Sequence, residues 1–394
     1  MRVLLTNNSF ALRAGSELYV RDVAIELMQR GHCPVAYSTR LGSVADELRA
    51  ATVPVVRSLE SLGEAPDIIH GQHHYETLTA MMWFPETPAI SYCHGWLPWE
   101  EAPLRFPRIL RYVAVDELCR ERLIVEGGIP AERIELILNF FDKRRFPPRT
   151  PLPSSPRLAL AFSNELSDSN DLPKLREACA QCEIELHAIG KASGASEPDP
   201  GRLLARYDVV FAKARSAIEA MAVGTAVVLC APGRMGTMVS SENFALFRRS
   251  NFGIRTLSRP IEVDSLVAEL RKYDPADAAA VSQAARDNCE LQTAVDQILD
   301  LYQRVIDEAR SMPLIPSAEA ERAAARYLEQ SAPHYKANSD ERLSAEQRLG
   351  ALQGEISALR SSATWRWTQG VLQNRLVQRL FGPVIRSVAE RGTR

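Results

Sequence analysis

Lys213, Arg215, Ser216 and Glu219 fall within one short segment, Asp208-Val-Val-Phe-Ala-Lys-Ala-Arg-Ser-Ala-Ile-Glu. Two cations, a hydroxyl and a carboxylate at that spacing can bind a phosphate anion and a diol together. The apolar run ending in Phe211 reads as a buried strand. Ser216 is a good N-cap for a helix carrying Ile218, Glu219, Met221 and Ala222, and Gly224 is its natural stop. A helix start facing the carboxyl ends of parallel strands favours an anion, through unused N–H groups and the helix dipole. Lys213 and Arg215 flank that start. An ionised Glu219 can accept both hydroxyl protons of a sugar diol. An ordinary βαβ unit with a solvated Glu has the same pattern.

A second set of chemistry-bearing residues comes earlier. His70, His73, His74 and His94 could suggest a metal site. Their nearest spacings, three and one, match no standard ligand motif, so no metal is expected. His70 is read as the end of a strand, with His73 and His74 on a loop. Trp96 and Trp99 follow His94 on a Pro-rich loop, where they suit either stacking on sugar rings or ordinary packing. The seven Cys are scattered and odd in number, so a disulfide framework is not expected and a reducing cytoplasm is. Cys179 and Cys182 form a C-x-x-C inside a predicted helix and read as packed thiols.

The elements that must hold these residues alternate. In the first part, strands are predicted at Val3–Thr6, Pro34–Ser38, Val53–Val56, Ile68–His70, Ala89–Tyr92, Tyr112–Val115 and Ile134–Leu138. Helices lie between them, the clearest from Leu18 to Arg30, with Val20, Val23, Ala24, Leu27 and Met28 on one face and Gly31 as its stop. Such alternation implies a parallel, doubly wound sheet. Residues 142–157 hold five prolines and four arginines and read as a stiff linker. A second α/β set follows: Leu158–Phe162, a helix near Leu172–Ala180, Ile184–Ile189, a short helix Arg202–Arg206, Val209–Phe211, the helix 216–223, and Ala226–Leu229. Two such domains make a cleft between facing strand ends, a preferred place for a small-molecule site.

From about residue 260 the chain turns helical, and Thr293–Met312 is expected to cross back to the first domain. Ala345, Leu349, Leu352, Ile356, Leu359 and Ala363 form a heptad seam, suited to self-association or to packing on the body. Residues 365–394 carry an apolar stripe with Trp365 and Trp367, and six Arg against the single Glu390. That pattern suits an anionic membrane surface, or docking as a C-terminal helix. The 394 residues carry a net charge of −2, without the basic field of a nucleic-acid binder. Hydrophobic residues make up 46% and charged ones 24%, as in a globular protein, and no apolar run reaches transmembrane length. No signal peptide is read before Met1-Arg-Val-Leu-Leu.

Four stretches, in this order, resemble the GT-B glycosyltransferases, in particular glycosyltransferase family four. Residues 15–32 are similar to its N-terminal glycine loop and helix, and residues 67–74 to its next landmark. Residues 112–146 are similar to the strand and helix leading into the interdomain linker, and residues 216–229 to the donor-binding helix and strand. The ending Ser-Ala-Thr-Trp-Arg-Trp resembles one seen on bacterial polysaccharide glycosyltransferases. The resemblance implies an α/β GT-B fold: an acceptor domain over 1–145, a donor-nucleotide domain over 146–310, and a helical tail over 311–394. It implies a nucleotide-diphosphate sugar as donor substrate, no further cofactor, and retention at the anomeric carbon. The acceptor would be a glycan or lipid-linked glycan of the cell envelope, reached from the cytoplasmic face of the membrane. Glu219 matches the family Glu that binds the ribose, Gly15 and Ser16 the loop approaching the phosphates, and His94 a histidine facing the transferred sugar. Asn164 and Ser216 complete the expected donor contacts.

Two departures stand out. The family's paired glutamates lie eight positions apart, and the partner of Glu219 would be residue 211, here Phe. The usual Gly-Arg before the second domain's first loop, with a Lys further on, is replaced by residues 162–174, Phe-Ser-Asn-Glu-Leu-Ser-Asp-Ser-Asn-Asp-Leu-Pro-Lys. Lost donors to a leaving group are worth roughly 3–4 kcal/mol each. Lys213 and Arg215 are the available replacements, with Lys174 a weaker one. A non-catalytic sugar-nucleotide-binding or scaffold protein of the same fold is the second reading, and a GT-B epimerase a third.

Overall fold

The computed structural model describes residues 1–190, 192, 200–313 and 315–361, and for Leu359 and Arg360 it describes the backbone. The first domain is a wholly parallel sheet of β1 (Arg2–Thr6), β2 (Cys33–Tyr37), β3 (Val55–Val56), β4 (Ile68–Gln72), β5 (Ala89–Cys93), β6 (Ile109–Ala114) and β7 (Ile134–Leu136). Its order is β3-β2-β1-β4-β5-β6-β7, so the winding reverses between β1 and β4. Helices α1 (Gly15–Gln29), α2 (Ser43–Ala50), α3 (His74–Trp83) and α4 (Glu117–Val125) connect the strands. Runs such as Val3-Leu4-Leu5 and Ile68-Ile69 are fully buried, as a sheet covered on both faces requires.

The second domain has β8 (Leu158–Phe162), β9 (Glu185–Ile189), β10 (Val209–Ala212), β11 (Ala226–Ala231) and β12 (Arg234–Met238), ordered β12-β11-β10-β8-β9. Its helices are α5 (Leu172–Gln181), α6 (Pro200–Leu204) and α7 (Ala214–Val223). Here the winding reverses between β8 and β10. Strand β12 runs antiparallel to β11 and had no counterpart in the expected pattern. Pro232-Gly233 is the turn that makes it, with Gly233 at φ +78°. Gly190 sits where any Cβ would lie 1.8 Å from the Ser163 carbonyl oxygen, so the loop after β8 depends on it.

Helix α1 explains why the linker is rich in arginine. Val20, Val23, Ala24 and Leu27 of this helix are fully buried. A second stripe, Tyr19, Asp22 and Glu26, is buried as well, although two of its members are acidic. Arg144 donates to Glu26 at 2.9 Å, and Arg145 lies 3.5 Å from Asp22. Arg149 pairs with Asp208 at 3.1 Å, at the foot of β10. The irregular linker is thus pinned at both ends by its own cations.

After α8 (Phe244–Arg248), α9 (Val263–Leu270) and α10 (Pro275–Asn288), helix α11 (Leu291–Ser311) returns to the first domain as expected. Its Tyr302 hydroxyl meets His70 Nδ1, Arg304 pairs with Glu135 at 2.8 Å, and Glu308 pairs with Arg111 at 2.8 Å. Helix α12 (Ser317–Ser361) carries Pro333 in its interior and five of the expected seam positions, Ala345, Leu349, Leu352, Ile356 and Leu359. Ala363 and the basic segment 365–394 lie outside the described residues. Among the described residues no helix is long and apolar enough to cross a membrane.

Candidate functional site

Helix α7 begins at Ala214, not after Ser216. Lys213 is its N-cap in extended conformation, and Ser216 lies within the first turn. Ala214 takes φ +50°, and its N–H donates to the Phe252 carbonyl at 2.9 Å. That tertiary bond sets the N-cap three residues earlier than side-chain capping preference predicts. Gly224 ends the helix at φ +103°, as expected.

Lys213 and Arg215 lie at this helix start with different surroundings. Lys213 Nζ pairs with Glu165 Oε2 at 2.8 Å, bridging the β8–β10 reversal point, and is partly exposed. Arg215 is buried. Its Nε donates to Glu219 Oε1 at 2.8 Å, so the side chain lies along α7 rather than across its mouth. Its Nη2 reaches Asp22 on α1, joining the two domains. Arg21 and Arg145 also face Asp22, at 2.6 and 3.5 Å. Burial alone would raise the Asp22 carboxyl, but Arg215, Arg21 and Arg145 outweigh it and hold it below the usual range. Burial likewise opposes the Arg215 charge, and Asp22 and Glu219 overcome it. Arg215 Nη1 is buried without a hydrogen-bond partner.

The first domain brings His94 to this junction. Three rings stack along the strand ends: His70 on Tyr92 at 4.2 Å and 11°, and Tyr92 on His94 at 5.6 Å and 17°. Tyr19 of α1 meets His94 edge-on at 4.8 Å and Phe140 at 4.8 Å, and Arg215 lies 5.8 Å from the Phe140 ring. The His94 N–H donates to Glu101 Oε2 at 2.9 Å, and its Nε2 is buried without a partner. Glu101 Oε1 also faces His73 Nε2 at 3.4 Å, while His73 Nδ1 accepts from the Asn8 N–H at 3.3 Å. That acceptor role leaves the His73 proton on Nε2, toward Glu101. His74 Nε2 lies 2.8 Å from the Trp99 carbonyl oxygen. Trp96 is exposed at the rim. Among the described residues no three His, Cys, Asp or Glu side chains converge to hold a metal.

The remaining expected residues are more dispersed. Gly15 begins α1 in open space, and Ser16 donates to its neighbour Glu17 at 3.1 Å. Asn164 lies on the loop after β8, its carbonyl accepting from Ala192 N–H at 3.3 Å. Lys174 points elsewhere, donating to the Ile261 carbonyl at 2.7 Å. Phe211 is fully buried in a core with Leu175, Val209 and Val228. Sequence reasoning missed Asp22, Tyr19, Tyr92, Glu101 and Arg145. The one available signal was acidic residues on a second face of a strongly apolar helix.

Two predictions arise here. Tyr92 is buried and its hydroxyl has no partner, so Tyr92→Phe should melt like the parent. Tyr92→Ala should lose about 3–5 kcal/mol and free the His94 ring; equal melting of the two variants would show the stack carries no load. Burial pushes His94 down to about 4, with Glu101 opposing, and His70 down to about 3. In the unfolded chain both take a proton near pH 6.5. Their contribution is therefore complete above about pH 6.5 and is lost as pH falls toward 4, because only the unfolded chain gains protons in that window. Urea titrations between pH 7 and 4 should show this slope, reduced in His70→Gln; equal slopes in both proteins would contradict the assignment.

Two Rossmann-like domains meeting through the strand-end sides of both sheets define the GT-B class. Residues 13–145 match the model of Glycosyltransferase Family 4. The glycosyltransferase from Rickettsia africae ESF-5 has a TM-score of 0.56 at 15% identity, over 77% of this chain and 98% of that one. Anabaena Alr3699/HepE, solved in complex with UDP and glucose, has a TM-score of 0.56 at 18% identity, over 77% and 100%. The lipopolysaccharide outer core galactosyltransferase WaaB has a TM-score of 0.50 at 13% identity, over 76% and 98%. No curated protein matches in sequence. The chain has the GT-B fold, and its likeness to family four lies in the first domain, over residues 13–145.

Proposed function

We propose that the chain transfers a sugar from a nucleotide-diphosphate donor to a glycan or lipid-linked acceptor of the cell envelope, with retention. The observation that carries this reading is a pair of buried, unpartnered nitrogens brought to one junction: Arg215 Nη1 from the second domain and His94 Nε2 from the first. A buried guanidinium N–H without an acceptor suits a diphosphate oxygen. A neutral imidazole suits a sugar hydroxyl or ring oxygen. Glu219 takes the ribose diol, and Arg215 shifts part of its pairing from Glu219 to the diphosphate when the donor enters. Lys213 and the first-turn amides of α7 add to the same anion. Gly15, Ser16, Ser216 and Asn164 border the donor. In the reaction the sugar C1–O bond to phosphate breaks, a C1–O bond to the acceptor forms, and the acceptor proton leaves with the diphosphate. Cations and helix dipole serve the leaving group, so no metal is required. The segment 365–394 holds the enzyme at an anionic cytoplasmic membrane face.

A ligand that binds only the folded state raises stability, by about 2.7 kcal/mol at a hundred times its Kd. Thermal shift with UDP, GDP and their sugars is expected to show a rise for one base, diminished in Glu219→Gln. HepE was solved with UDP and glucose, which makes uridine the first choice. No rise with any nucleoside diphosphate overturns the donor site. The loss of a Glu at 211 favours one second reading, a sugar-nucleotide binder without turnover; donor hydrolysis without acceptor separates the two.

A further inference from the structure

Most of the large apolar side chains that helix α12 shows to solvent fall in one heptad frame, with Leu343, 56% exposed, outside it on position b. Leu328, Tyr335, Leu349 and Ile356 all fall on position a, and Leu352 on position d; each is between 48% and 71% exposed. Gly350 and Gly354 fall on outer positions, where a Cβ would meet nothing within 4 Å. Scattered exposed leucines need no explanation, but exposed residues in register along one face form a seam.

The charges beside the seam choose the occupant and its direction. In a parallel pair, position a meets position a, so Arg342 would face its own copy in the core. Glu341 at g would then face Glu346 at e of the second copy, a like-charge contact repeated on both sides. In an antiparallel pair centred between Gly350 and Ala351, Leu349 meets Leu352 of the second copy and Ala345 meets Ile356. Arg348 then faces Glu355 of the second copy, twice by symmetry, and Arg342 moves to the end of the seam. Its charge is already answered within its own helix by Glu346 at 3.3 Å. A two-fold arrangement of this kind is self-complementary and closed.

We propose that α12 pairs antiparallel with α12 of a second copy of this chain, through Leu349, Leu352, Ile356 and the Arg348–Glu355 contacts. The seam is short, so the dimer is weak and depends on concentration.

Sedimentation equilibrium of the full chain tests this. The parent is expected to pass from monomer to dimer with concentration. Leu349→Lys with Leu352→Lys should leave a monomer whose body melts as before. Arg348→Glu should weaken the dimer about tenfold, and Arg348→Glu with Glu355→Arg should restore it. A parent that stays monomeric at every concentration overturns the proposal, as does a dimer indifferent to the leucine pair. Failure of the charge exchange to restore binding overturns the antiparallel direction.

Discussion

Arg215→Ala is expected to lower turnover by about 10²–10³-fold, the usual cost of a donor aimed at developing charge. The same change strips Asp22 and Glu219 of their shared cation. Both are buried, so about 3–5 kcal/mol of stability should go with it. Arg215→Lys separates the two effects. It keeps a charge near Asp22 but lacks the planar fork that reaches Asp22, Glu219 and a third acceptor at once. The Lys variant should therefore fold and still turn over slowly. Lys213→Ala alone should matter less, because Lys213 is partly exposed and already paired with Glu165. Lys213→Ala with Arg215→Ala should abolish turnover. Normal turnover in a folded Arg215→Lys protein, or in the double variant, would remove the diphosphate role from this helix start.

Phe211→Glu, which recreates the family's paired glutamates, is expected to damage the fold rather than improve the site. Phe211 has no exposure and packs with Leu175, Val209, Val228 and Met235. Those neighbours are apolar, so a carboxylate among them would be desolvated at a cost on the order of 5 kcal/mol. Phe211→Leu should cost far less, since it keeps an apolar occupant. Denaturant melts of both variants read the difference. A Phe211→Glu protein that melts like its parent and gains donor hydrolysis would mean that the end of β10 reaches the junction after all. The expected outcome makes the departure at 211 a committed feature of this core.

The regular part of this molecule was plain in its apolar periodicity. Strands β8 and β10 appear as short unbroken apolar runs and β1 and β4 carry buried ones, and the α1 stripe and Gly224 behave as their chemistry predicts. Boundaries were harder where a tertiary contact decides. The Ala214 to Phe252 bond moved a helix start, and Pro54 left only Val55 and Val56 in strand form. The site was half legible. Lys213, Arg215, Glu219 and His94 have local signals in residue type and spacing. Their partners do not: Asp22 meets Arg215 across 193 positions, and Tyr19 reaches Phe140 only because α1 lies beside the linker. A charge on a helix face does not announce which distant cation it will receive.

Helix α11 has a consequence for anyone who would dissect this protein. It is encoded after the second domain, yet its Tyr302 hydroxyl meets His70 in the sheet of the first. Severing the chain at the proline-rich joint would not release two autonomous pieces. The leading fragment would lack its final buttress and leave an oily trench along β5 and β6, and the trailing fragment would carry an orphaned amphipathic rod. The modules are interlocked in assembly order, so the first cannot reach its finished form until nearly the last stretch of α11 has been synthesised.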